Sequence, residues 1–368
     1  MSFVAIFLLL LFYCQLLEKG RKQAMATTIT KVRLNKGRCI SGLDGVNAQY
    51  TIQLDGMENL YLPVKEEKNE ADNTIVSISC VGGKVSAYVN PVHAIRQYNV
   101  KPLGIVENIK LEIAKNQVLE IMKSYLQEHL KDKYSDEFVD NLKVVKLECN
   151  VTMKTLGNAT PDTMLHFFDM VFPDTFLHRY RKADSKCEKG DNSFKYKEKN
   201  GNYILKCYDK TKEQHDNEHH KPNPFVENNL LRVELLFLSK SLKRIYGDKR
   251  TLSDVLTKKG LEKLCREYKR VLTEDISNAV RKYRDDCKDM LVEFLTEHKK
   301  GGNMVADCIM RYKEEIVDIS ILKKSLQTYY KIYGLPDNSS QVINYYKKKG
   351  ILPQDTIKTF RAFREAAG

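Results

Sequence analysis

The chain has 368 residues, with 61 Lys and Arg against 48 Asp and Glu, a formal net charge of +13, and 42% apolar residues. That apolar share supports a folded core in one large or two medium domains. The positive excess concentrates phosphate near the surface and points to a polyanion partner, nucleic acid first, with solvated lysine-rich faces as the plain alternative. The nine cysteines include no Cys-x-x-Cys pair, and their odd number and wide spacing fit reduced cytoplasmic thiols better than a disulfide framework or a zinc site.

Residues 3–14 are an unbroken apolar run, shorter than the ~20 residues that span a bilayer. Basic residues Lys19, Arg21 and Lys22 follow the run, whereas a secretory signal carries its charge before it. Met25 opens a stretch that reads as the start of a cytoplasmic protein, so residues 1–24 are expected to be an over-extended start. A membrane anchor is the alternative.

Residues 27–100 read as strands and turns, with short β-rich runs at 28–34, 50–54, 60–64, 74–80 and 84–89. Gly42, Asp44-Gly45, Asp55-Gly56 and Gly82-Gly83 read as separators, and Gly82-Gly83 is a hairpin signal. The period then changes, and 108–131 is expected to be helical. Residues 143–154 alternate, with Val145, Leu147, Cys149 and Val151 on one face and Lys146, Glu148, Asn150 and Thr152 on the other. A helix is expected at 160–172, then a hairpin of 193–197 and 203–208 around Asn200-Gly201. A polar loop, 215–224, holds His215, His219 and His220. Residues 230–238 form another strand, with Arg232 and Glu234 opposite Leu231, Val233 and Leu235. From 240 onward the pattern is helical, with breaks at 300–303 and 334–336.

The expected fold is α+β: an antiparallel sheet backed by helices over 25–250 and a helical C-terminal region over 251–368. Apolar strand faces cover the core, and the polar faces form one open platform carrying Glu148, Asn150, Lys206, Tyr208, Lys210, Arg232 and Glu234. A tyrosine, bases and carboxylates on neighbouring strands can handle a phosphodiester; they also suit a half-exposed sheet whose cross-strand charges face water.

Tyr208-Asp209-Lys210-Thr211-Lys212-Glu213, a Tyr-x-Lys-x-x-Glu, resembles the signature of rolling-circle replication initiators: the filamentous-phage gene II and X replication proteins and related plasmid initiators of Gram-positive bacteria. Leu231-Arg232-Val233-Glu234-Leu235 resembles their Arg-x-Glu strand, and Thr251-Leu252-Ser253-Asp254 the helix start that follows it. Val145-Lys146-Leu147-Glu148-Cys149-Asn150 stands where these families have an Arg-apolar-Asp strand. The resemblance spans residues 100–260.

It implies a replication initiator that nicks and rejoins one DNA strand at an origin through a 5′-phosphotyrosine. Tyr208 would be the nucleophile, with Lys210 and Arg232 on the phosphate. Glu148, Glu234 and Asp209 would hold Mg²⁺ or Mn²⁺. Lys206, Arg179 and Arg181 would bind DNA. The implied partners are origin DNA, single- and double-stranded, and a host helicase and polymerase. A homodimer is a further expectation, and a membrane is not. The alternative is a non-catalytic DNA-binding replication or regulatory protein.

Overall fold

A computed structural model describes residues 42–52, 59–99, 103–104, 107–157, 159–171, 180–182, 193–216, 223, 226–248, 250–297, 303–352 and 356–366. The expected strand at 28–34 and the separator Asp55-Gly56 lie outside them.

Ten strands form one antiparallel sheet: β1 (Gly42–Thr51), β2 (Tyr61–Lys68), β3 (Thr74–Val81), β4 (Lys84–Val89), β5 (Leu103–Gly104), β6 (Lys143–Lys154), β7 (Tyr180–Lys182), β8 (Ser193–Glu198), β9 (Tyr203–Asp209) and β10 (Leu230–Leu238). The spatial order is β2-β3-β4-β1-β6-β10-β9-β8-β7, with β5 beside β1. Gly82 and Gly83, at φ 56° and 68°, make the tight turn between β3 and β4. Both φ values are open to glycine at little steric cost.

Strand β1 begins earlier than the sequence suggests. Gly42, Asp44 and Gly45 read as turn residues, yet all three lie in β1, where the pairing with β6 shifts register between Leu43 and Val46. A bulge of this kind re-aims a side chain without ending the strand, and here it falls at Asp44.

Helices cover the apolar face. Helix α1 (Asn108–Leu130) buries Leu111, Ala114, Val118, Met122 and Tyr125, a stripe at helical spacing. After the one-turn helix α2 (Glu137–Asp140) comes α3 (Pro161–Val171), with proline in its first turn. Helix α4 (Lys210–Asp216) follows β9 directly. Lys210 therefore begins a helix and does not continue the strand of Tyr208, as expected above. Helices α5 (Ser239–Tyr246), α6 (Leu252–Val255) and α7 (Lys258–Val271) return to the sheet, where the Tyr268 hydroxyl donates to the Val233 carbonyl at 2.8 Å.

Further on lie α8 (Ser277–Glu297), α9 (Met304–Arg311), α10 (Ile319–Ile332), α11 (Ser339–Lys348) and α12 (Thr356–Ala366). Leu291, Leu295, Ile309, Leu322, Leu326, Tyr330 and Ile343 build a second apolar cluster, distinct from that of the sheet. Residues of α6 and α7 belong to the sheet cluster, and so do Ile357 and Phe360 of α12. Phe360 meets the rings of Phe167 and Phe168 at 5.9 and 6.3 Å. Among the described residues no helix is long and apolar enough to cross a membrane.

Candidate functional site

The polar face of β6, β9 and β10 assembles in rows. Antiparallel pairing sets Arg232 beside Tyr208 on one side and Thr152 on the other. Two residues along, Glu234 stands between Lys206 and Asn150, and the alternation of each strand puts both rows on the same face. Glu148 shares that face. The structure thus brings together Tyr208, Arg232, Glu234, Lys206 and Glu148.

The expected open platform is not open. Arg232 and Lys210 are 0% exposed, Asn150 0%, Glu234 3% and Tyr208 6%. Glu148 and Lys206 keep side-chain exposures of 22% and 24% and form the rim. Two residues that the sequence reading left out account for the closure: Asp44, aimed by the β1 bulge, and Asn99, from the segment after β4.

The buried carboxylate of Asp44 accepts from Arg232 Nη1 at 2.8 Å, Asn150 Nδ2 at 3.0 Å, Asn90 Nδ2 at 3.1 Å and Asn99 Nδ2 at 3.1–3.2 Å. Asn99 in turn accepts from both cations: its carbonyl from Arg232 Nη2, and its side-chain oxygen from Lys210 Nζ at 2.8 Å. Arg232 Nε donates to Thr152 Oγ1 at 2.8 Å, and Lys210 Nζ donates to Glu213 Oε2 at 2.5 Å. Two buried cations are thus matched by two carboxylates and several amides, the condition under which burying charge is tolerated. Nearby asparagines that look like solvated turn residues were the one available sequence signal for this cap.

The electrostatics follow from burial opposed by close charges. Burial pushes the Asp44 carboxyl up, but Arg232 and Lys210 more than reverse it and hold it below the ordinary carboxylate range. Glu234 follows the same pattern, with Lys206 and Arg232 as the opposing cations. Burial drives the Tyr208 phenol well up; Arg232 offsets part of this, while Glu234, Glu213 and Asp44 add to it. Tyr208 is therefore a neutral phenol at neutral pH, and its hydroxyl donates to Glu234 Oε2 at 3.2 Å.

A second tyrosine belongs to this face. Tyr88 of β4 is half-buried, and its phenol is pushed up by burial and then by Glu148 and Asp44. Gly45 fits closely beneath this pair: a Cβ there would lie 3.0 Å from Glu148 Oε2 and 3.1 Å from the Tyr88 hydroxyl.

The residues expected to hold a metal are not gathered around a vacant centre. Lys206 Nζ lies 2.5 Å from Glu234 Oε1 and 3.7 Å from Glu148 Oε1, so an ammonium stands where a divalent cation would. Asp209 faces away from the cluster, because it pairs with Leu231 on the opposite parity of the strand. Its Oδ1 accepts from the Lys212 backbone N–H at 2.9 Å and caps the first turn of α4. Among the described residues no group of three or more His, Cys, Asp or Glu side chains is placed to hold a metal. In this arrangement the residues do not fit Mg²⁺ or Mn²⁺. Arg181 lies in β7, and Arg179 is outside the described residues, as are His219 and His220.

No family model matches the chain, and no curated protein matches it. Among solved structures, the chain is similar to a rolling circle replication initiator protein from Geobacillus stearothermophilus, at 10% identity and a TM-score of 0.28, over 56% of this chain and 78% of that one. A likeness at that level assigns no activity here, and the functional reading rests on the residues themselves.

Proposed function

We propose that this chain is a DNA-acting replication protein of the initiator type, in which the polar face of β6, β9 and β10 works on a phosphodiester and Tyr208 is the nucleophile. The observation that carries the reading is the cluster of Tyr208, Arg232 and Glu234 from two adjacent rows, with the phenol already donating to a carboxylate held ionised. The Tyr-x-Lys-x-x-Glu signature and the net charge of +13 support it.

In the reaction, the Tyr208 oxygen bonds to phosphorus and its proton passes to Glu234. The bond from phosphorus to the 3′ oxygen breaks, and that oxygen takes a proton from water. The products are a 5′-phosphotyrosine and a free 3′ hydroxyl. A phenol with its pKa raised by burial needs such a base. Arg232, beside the phenol, offsets negative charge on the phosphoryl oxygens. For DNA to reach Arg232 and Lys210 it must replace Asn99, which accepts from both.

One observation favours a second reading. Arg232 and Lys210 are fully buried with their donors engaged, as suits a structural knot in a non-catalytic DNA-binding protein.

The two are separated by incubating the full chain with supercoiled plasmid carrying the DNA that flanks its own gene, with and without Mg²⁺ or Mn²⁺. The nicking reading expects relaxed circles and a protein–DNA adduct, both lost in Tyr208→Phe. Wild type that binds this DNA but yields neither product establishes the second reading. An adduct that survives in Tyr208→Phe and is lost in Tyr88→Phe moves the nucleophile to Tyr88.

A further inference from the structure

The second apolar cluster ends in two helices, α10 and α11, joined by a short, well-defined turn. The Leu335 N–H donates to the Tyr330 carbonyl at 2.8 Å and the Gly334 N–H to the Lys331 carbonyl at 3.3 Å, closing the end of α10. Asp337 Oδ1 then accepts from the Ser339 N–H at 2.9 Å, fixing the start of α11. The second helix is anchored from below by Ile343 and Ser339, both buried. The turn and the anchor present α11 as a rigid rod with one face outward.

That outward face is Ser340, Gln341, Asn344, Tyr345 and Lys348. At 100° per residue these positions cover one continuous sector of the helix. Every one carries a hydrogen-bonding group, and none is acidic. Among the described residues the side chains of Gln341, Asn344 and Lys348 have no intramolecular partner. Tyr345 is 53% exposed, and Lys349 Nζ lies 4.9 Å from the centre of its ring.

The stretch that carries this face is basic. From Ile319 to Gly350 the chain carries Lys323, Lys324, Lys331, Lys347, Lys348 and Lys349, against Asp337 as the sole acid of that stretch, which is already engaged at the start of α11; from outside it, Asp307 of α9 lies near enough to act on Tyr346. Helix α8 on the same cluster shows the contrast, since it mixes Arg281, Lys282 and Arg284 with Asp285, Asp286 and Asp289. An ordinary solvated helix has no reason to exclude acids. A surface that meets phosphate does, because each carboxylate there opposes the polyanion.

We propose that the outward face of α11 reads duplex DNA in the major groove, with Gln341 and Asn344 on base edges and the neighbouring lysines on phosphates. Amide side chains pair bidentately with adenine, a lysine suits guanine or a phosphate, and a helix of this width fits the groove. The inference deepens the DNA-acting reading, on which it rests for the choice of polyanion. It does not depend on Tyr208, because α11 belongs to a different apolar cluster from the sheet.

The test uses the full chain and a pool of random-sequence duplex DNA, with the Tyr208→Phe chain run beside it so that binding is read apart from nicking. Selection from the pool is expected to yield a preferred sequence. Gln341→Ala/Asn344→Ala should lose roughly 10-fold or more for that sequence and lose the preference at adjacent positions, while binding random duplex nearly as before. Lys348→Ala should weaken all duplexes alike and lower the slope of log K against log salt by about 1. All three positions are on the surface, and an unchanged melting temperature certifies the fold. The proposal is overturned if the double variant keeps the wild-type preference, if single-stranded RNA outcompetes duplex DNA, or if no duplex is bound while nicking of single-stranded DNA persists. That last result would leave the nicking reading standing.

Discussion

Arg232 and Asp44 meet at 2.8 Å across two strands that are not neighbours, with β6 between them, and neither side chain has appreciable contact with water. The pair ties the β1 bulge to the centre of the sheet. Removing one partner leaves the other charged and unpaired in the interior. Arg232→Met should therefore destabilise the fold by about 3–5 kcal/mol in chemical denaturation, whereas Asp44→Leu/Arg232→Met should recover much of that loss. A double variant as unstable as the single one would show that the surrounding amides, not the pair, hold this region.

Lys206 fills the space between Glu148 and Glu234. Its ammonium is a cation built into the sheet. Lys206→Met removes that charge and leaves two carboxylates facing each other, the donor type that hard divalent cations prefer. Titration with Mn²⁺, followed by loss of its free paramagnetic resonance signal, should show binding to Lys206→Met and none to wild type at the same concentrations. Equal binding by both would mean that Lys206 yields its place to the metal.

Asp209 works on α4. Asp209→Ala should cost about 1 kcal/mol, as loss of a helix cap usually does, and Asp209→Asn should cost less because the amide oxygen still accepts from the Lys212 N–H. A thermal melt reads both. A loss several times larger in Asp209→Ala would mean that the residue does more than cap.

Acid should weaken the fold in a defined window. Burial raises the Glu267 carboxyl, but hydrogen bonds from Arg270 and Tyr203, with the charge of Arg244, bring it down to about 2. Its unfolded value is ~4.3. A carboxyl depressed in the fold contributes fully above the unfolded value and loses that contribution as pH falls from ~4.3 to 2. Asp44 and Glu234 are shifted in the same direction. Glu267→Gln should flatten the decline of stability over that window while lowering stability at neutral pH, as measured by urea unfolding at stepped pH.

Much of the sheet could be read directly from alternation. Residues 143–154 and 230–238 are strands as their patterns say, because period-two apolar spacing forces one face onto the core. The same reasoning misjudged exposure. Polar residues on the second face read as solvent-facing, yet β10 is buried through nearly its whole length, Arg232 and Glu234 included. Alternation reports which residues share a face, not whether that face is covered. The cover depends on Asn99, which lies 133 residues from Arg232 in sequence, a pairing that local pattern cannot express. Asp44 was hidden for another reason: Asp-Gly normally marks a turn, and here the pair makes a bulge inside a strand. The helix Lys210–Asp216 leaves little trace in the sequence because its charged residues have almost no apolar period.

The place of β1 in the strand order bears on where the protein can start. It sits between β4 and β6, so among the described residues the hairpins β2-β3-β4 join the other half of the sheet only through it. Translation from Met25 retains it. Translation from the next methionine in the sequence, Met57, would omit the strand and with it Asp44. Two inner edges would then lie unpaired, each a ready template for another chain. Such a product should aggregate rather than fold as a shortened form.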